Sequence, residues 1–243
     1  MDVHFFLKMR TQFIRRFYDD AAFPFTERKR KIEAGEEPFV PPYSEDGDPP
    51  FEIEWIDADE SLDVLGQACI SMLAATLQLY FKEWVDEIHG RFGNDQLARF
   101  GIGRPDKAAF KEGWISRYRA FFQDKLRIDW TGVPSNLGIL EEIVLTRNRA
   151  QHPERITSFR IDQSQRDAMK YPRSFFADDL ELKVFGDTTE VPSEWVRPWR
   201  LNVTREKLFA AVDEVERFCA WLEQHLLAWP RHVGDEPKGA AQQ

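Results

Sequence analysis

Arg147 and His152, five positions apart with Asn148 between them, are the residues in this 243-residue chain whose types suit one defined reaction. Breaking an RNA strand without a metal requires a base for the ribose 2′-OH, a cation for the crowded phosphate and an acid for the departing oxygen. Imidazole titrates near neutrality and serves as base or acid. Guanidinium stays charged and offers paired N–H donors to phosphate oxygens. One histidine cannot readily act as base and acid in the same step. A two-fold dimer that brought two Arg/His pairs together would supply both.

The element that must hold these groups is a helix ending at the motif, in LEEIVLTRNRAQHPE, residues 140–154. VPSN at 133–136 makes a turn, and Ser135 or Asn136 can cap the helix. Leu137, Leu140, Ile143 and Val144 form its apolar stripe, and Arg147 continues that stripe. A guanidinium on a packed face needs a partner, either a carboxylate on another helix or an anion drawn into a cleft. On an ideal helix His152 lies about 140° around the axis from Arg147. Pro153 disfavours helical conformation at His152, so the helix should loosen there and let the imidazole swing back.

RNRAQH at 147–152 resembles the Arg-x4-His motif of HEPN domains, in which a polar residue such as Asn commonly follows the Arg. The resemblance covers about residues 60–152 and 204–229. It implies an all-α, HEPN-like helical bundle carrying a small irregular or β insertion, and a homodimer formed through the motif face. It also implies a metal-independent endoribonuclease, toxin- or defence-associated, that cuts single-stranded RNA or RNA loops and leaves a cyclic phosphate. Arg147 and His152 would be the active pair and Asn148 an auxiliary polar residue, with an antitoxin or defence protein as a further partner. The rival reading is a non-catalytic helical module that binds RNA or protein, since some HEPN domains only bind. An extended form of the motif carries Tyr two residues beyond the His. Glu154 stands there, which speaks against control by nucleotidyl transfer.

The remaining pattern predicts a bundle. Phe6, Met9, Phe13 and Phe17 recur at helical spacing in 3–18, and a short helix is expected over 26–34 with Gly35 as its stop. ERKRK at 27–31 reads either as a nucleic-acid patch or as a solvated helix face. Residues 36–50, with five prolines and many acids, form an arm, and FEIEWI at 51–56 alternates like a short strand. A main helix runs from about Leu62 to His89 and ends at Gly90, Gly93 and Asn94. GIG at 101–103 is a turn, followed by a helix from about Pro105 to Lys125. Residues 153–203 read as an insertion with a small hairpin, ELKVF at 181–185 being strand-like. Trp195 and Trp199 within it could stack on bases or pack. The last helix begins at Thr204, and residues 230–243 read as a flexible tail beyond a single domain, 1–229.

Bulk properties narrow the classes. Net charge is −9, which at first opposes a nucleic-acid partner. Residues 35–63, however, hold eleven acids and no Lys or Arg, so the rest of the chain is slightly basic. The acidic stretch either covers a basic face or keeps the chain soluble. Two cysteines, Cys69 and Cys219, sit in apolar helical patterns and read as buried thiols. His4, His89, His225 and His232 show no metal-like spacing, so no metal and no cofactor is expected. No secretory signal is evident, and the longest apolar run, Ala68 to Phe81, is short of a membrane crossing. A cytoplasmic protein without membrane contact is expected.

Overall fold

A computed structural model describes residues 2–41, 49–105, 113–185 and 198–233. Trp195, residues 106–112 of the helix expected from Pro105, residues 42–48 of the acidic arm and residues 234–243 lie outside that set. The described chain is mainly helical, as the periodicity predicts. Eight α-helices and a two-stranded sheet follow one another: α1 (Val3–Ala34), α2 (Glu52–Phe92), α3 (Asn94–Arg99), α4 (Trp114–Ala120), α5 (Leu137–Gln151), β1 (Ile161–Asp162), α6 (Gln165–Lys170), α7 (Asp179–Phe185), β2 (Arg200–Leu201) and α8 (Arg205–Val233). A π-helical turn, Phe121–Lys125, continues α4.

The core forms where α2 meets α8. From α2 come Cys69, Leu73, Leu77, Phe81 and Trp84, and from α8 come Leu208, Val212, Val215, Phe218 and Leu222. The Phe81 ring stacks on Tyr118 at 4.9 Å and meets Phe218 edge-on at 5.7 Å, which fixes α4 against the pair. The buried Tyr80 hydroxyl donates to the Cys219 carbonyl at 2.7 Å, joining the two helices through a polar group that would otherwise be stranded. By length and composition α2 could cross a membrane, and here its apolar side chains are the core of the bundle. Both α1 and α5 pack on α2 and α8.

Several local expectations need correction. The two helices expected in 3–18 and 26–34 are one, α1, with Pro24 inside it and Gly35 ending it at φ 62°. Its buried stripe is Val3, Leu7, Thr11, Ile14, Tyr18 and Ala22, while Phe6, Met9, Phe13 and Phe17 face outward. FEIEWI is not a strand, because α2 begins at Glu52 and places Glu52 and Glu54 in its first turn, where the helix dipole favours acids. ELKVF is not a strand either. Asp178 Oδ1 accepts the Leu180 and Glu181 N–H groups at 2.9 and 3.2 Å and so starts α7. Pro230 does not begin a tail, since α8 runs to Val233. In place of a hairpin, β1 and β2 are antiparallel strands far apart in sequence, Ile161 opposite Leu201 and Asp162 opposite Arg200.

ERKRK at 27–31 is a paired helix face. Arg28 meets Asp57 at 2.8 Å, Lys29 meets Asp59 at 2.6 Å, and Arg30 bridges Glu27 and Glu36 at 2.8 and 2.6 Å. Part of the acidic stretch therefore neutralises α1.

Candidate functional site

The motif helix starts as its sequence dictates. Asn136 Oδ1 accepts the Gly138 N–H at 2.9 Å, and Glu214 of α8 accepts the Asn136 N–H at the same distance. Leu140, Ile143 and Val144 are buried and fix the helix by its apolar stripe, with Leu137 packed against the core at its start. At the other end His152 leaves the helix at φ −128°, ψ 66°, its N–H still bonded to Asn148 O at 3.1 Å, as expected before a proline.

The segment after the motif is tied back to α5. Glu142, buried, accepts the Ser174 hydroxyl at 2.5 Å and the Phe175 N–H at 2.9 Å on one oxygen. Burial pushes this carboxyl up, and the two hydrogen bonds draw it partly back. Glu141 accepts the Tyr171 hydroxyl at 2.6 Å and pairs with Lys170. Trp199 is buried, with its indole N–H on the Pro172 carbonyl at 2.5 Å, so it packs and offers no face to a base. Residues 170–176 thus form a strap clipped to α5 upstream of the motif.

Arg147 is half-buried, and its guanidinium donates to the neighbouring Asn148 Oδ1 at 3.0 Å. His152 is exposed and lies on a cavity of about 260 Å³. Among the described residues the cations on that cavity are Arg149, Arg155, Arg160 and Arg200; Arg147 and Asn148 do not line it. Glu154, Asp162 and Glu181 supply the acids. Two of the arginines are engaged, Arg149 with Glu154 at 2.7 Å and Arg200 with Asp63 at 2.8 Å. Asp63 is buried, and desolvation raises its carboxyl although Arg200 opposes the rise. Exposed Phe159 adjoins Arg160, and its carbonyl accepts the Gln67 side chain at 2.7 Å, which ties the loop to α2.

All four of the cavity's arginines were missed in the sequence. A signal existed for three of them, because residues 147–160 hold Arg149, Arg155 and Arg160 beside Arg147, four arginines in fourteen positions. Arg200 carried none, since only the β1–β2 pairing brings it beside Asp162. Among the described residues, no group of three His, Cys, Asp or Glu side chains is placed to hold a metal ion. No protein-family model, no curated protein and no solved structure matches this chain.

Proposed function

We propose that this chain is a metal-independent endoribonuclease acting on single-stranded RNA at the His152 cavity. The observation that carries the reading is an exposed imidazole at the end of α5, set on a cavity lined by four arginines. An RNA phosphate entering there meets guanidinium donors, and Phe159 offers a ring to an unstacked base. His152 takes the proton of the 2′-OH as that oxygen bonds to phosphorus. The bond from phosphorus to the 5′-oxygen breaks, leaving a cyclic phosphate and a 5′-hydroxyl. The proton for that 5′-oxygen comes from water, or from the His152 of a second copy drawn over the motif face by the RNA itself. Arg147, carried on the half-buried side of α5 with Asn148, joins the site when its guanidinium leaves Asn148 for phosphate.

The contact between Arg147 and Asn148 also favours a second reading, a module that binds RNA in the same cavity without cutting it. One experiment separates the two. Wild type, His152→Ala, Arg147→Ala and the Arg155→Ala/Arg160→Ala double variant are incubated with mixed RNA in excess EDTA. The nuclease reading expects cyclic-phosphate products from wild type, reduced about 10²-fold or more in His152→Ala. Equal background nicking by all four, together with RNA retention that weakens in the double variant, would leave the binding module. The toxin or defence setting is tested by growth on expression, with arrest by wild type and relief by His152→Ala.

A further inference from the structure

Helix α1 is apolar on two sides. One side, with Val3, Leu7, Ile14 and Tyr18, is buried in the bundle. The other faces outward, and there Phe6 is 48% exposed, Met9 50%, Phe13 50% and Phe17 39%, with Phe5 at 54% beside them. Such side chains belong in a core, and five on one helix face are more than the scattered apolar residues of an ordinary surface. They close on one another instead: Phe13 and Phe17 stack at 5.9 Å, and Phe5 meets Phe6 at 5.5 Å. On an ideal helix Phe6, Met9, Phe13 and Phe17 fall within about 80° of each other, the narrow seam of helix pairing. Two hollows border it, one of about 130 Å³ that includes Phe6 and Leu79 of α2, the other of about 530 Å³ along Phe13, Phe17 and Ala21.

We infer that this seam joins two copies of the chain, α1 against α1 and antiparallel, across a two-fold axis near Phe13. Area supports the second copy. At 150–250 Å² for a fully exposed aromatic ring, the seam and Leu79 present roughly 500 Å² of apolar surface per copy. With its polar borders it approaches the roughly 800 Å² that each partner contributes to a stable interface. The seam is also self-complementary. An axis at Phe13 sets Met9 of each copy against Phe17 of the other, and Asp20 of each at the level of Phe6, about 6 Å along the helix from Arg10 of the other. A lipid surface fits less well. Asp20, seven residues after Phe13, continues the seam as a carboxylate, a group that hydrocarbon does not accept without a partner. No residue lining the His152 cavity belongs to α1, so pairing through α1 does not occupy that cavity.

The test is the mass of the full chain in solution. Sedimentation equilibrium of wild type should give twice the 28.6 kDa chain mass. Phe13→Glu and Met9→Glu should each give the single mass with an unchanged helical circular dichroism spectrum, since neither side chain belongs to the core. Phe13→Cys should form a disulfide-linked dimer under mild oxidant, selectively because Cys69 and Cys219 are buried. A wild type that stays monomeric overturns the inference, including one that binds lipid vesicles as a monomer. So does a dimer that survives both Glu substitutions, or a dimer in which Phe13→Cys does not cross-link.

Discussion

Replacing Gly66 with Ala should destabilise the protein even though alanine is the better helix former. Gly66 lies in α2 where the chain entering α8 passes closest. A β-carbon added there would sit 2.3 Å from the Val203 carbonyl oxygen, 3.0 Å from its Cβ and 3.2 Å from its carbonyl carbon. An ordinary carbon–oxygen contact is about 3.3 Å or more, so one backbone must retreat by about 1 Å. Val203 is buried, follows β2 by two residues and adjoins the helix start at Thr204, so it has little room to move. Forced overpacking of this kind costs about 1–3 kcal/mol, against about 1 kcal/mol gained in helix propensity. With a penalty at the upper end of that range, the net loss is about 2 kcal/mol, or a fall in Tm of roughly 4–8 °C for a chain of this size. The control is Gly90→Ala in the same helix, where an added β-carbon meets nothing within 4 Å. It should gain about 0.5–1 kcal/mol. Thermal unfolding followed by circular dichroism reads both variants. A Gly66→Ala protein as stable as wild type, or ranking with Gly90→Ala, would refute the close approach.

Four further outcomes are expected. Because burial raises the Glu142 carboxyl, the native state keeps that proton where the unfolded chain has lost it, so this group's contribution to stability falls as pH rises from the ordinary carboxylate range through its folded value. Glu142→Gln, which keeps an acceptor oxygen, should therefore gain in Tm over wild type more at pH 8 than at pH 4. Glu142→Ala strands the Ser174 hydroxyl and the Phe175 N–H and should cost about 2–3 kcal/mol in denaturant titration. Asp63→Ala leaves the Arg200 guanidinium without its carboxylate in a largely buried position and should cost about 2 kcal/mol, measured the same way. Burial pushes the Cys69 thiol up to about 11 and the Cys219 thiol well above its usual value, so neither should react with a thiol reagent within minutes at pH 8, and both should react once guanidinium unfolds the chain.

What the sequence disclosed was whatever depends on neighbours along the chain. The caps at Asn136 and Gly35, the end of α2 at Gly93 and the loosened backbone at His152 all arise within a few residues, and all were legible. The errors came where two local rules competed. FEIEWI and ELKVF alternate like strands, yet acids in a first turn and a capping Asp178 decide for helix. In α1 the larger aromatic stripe was the obvious candidate for burial. The bundle instead takes up the stripe of Val3, Leu7, Ile14 and Tyr18 against α2 and α8, contacts that lie far from α1 in sequence. The cavity beside His152 was half legible for the same reason. Arg149 and Arg155 lie close to the motif in sequence, whereas Arg200 reaches it only through the pairing of strands thirty-eight or more residues apart.

The strap clipped to Glu141 and Glu142 has a consequence in mass action. One wall of the His152 cavity comes from the end of α5, the other from the chain leading into the strap and from β2. An occupant touching both walls binds only the clipped form, so each bound molecule draws the segment toward α5. At a hundredfold excess over Kd this linkage is worth about 2.7 kcal/mol. Melting temperature thus becomes a binding assay for a site whose occupant is still to be chosen, with short oligonucleotides, mononucleotides and inorganic phosphate ranked by the heat the folded chain survives.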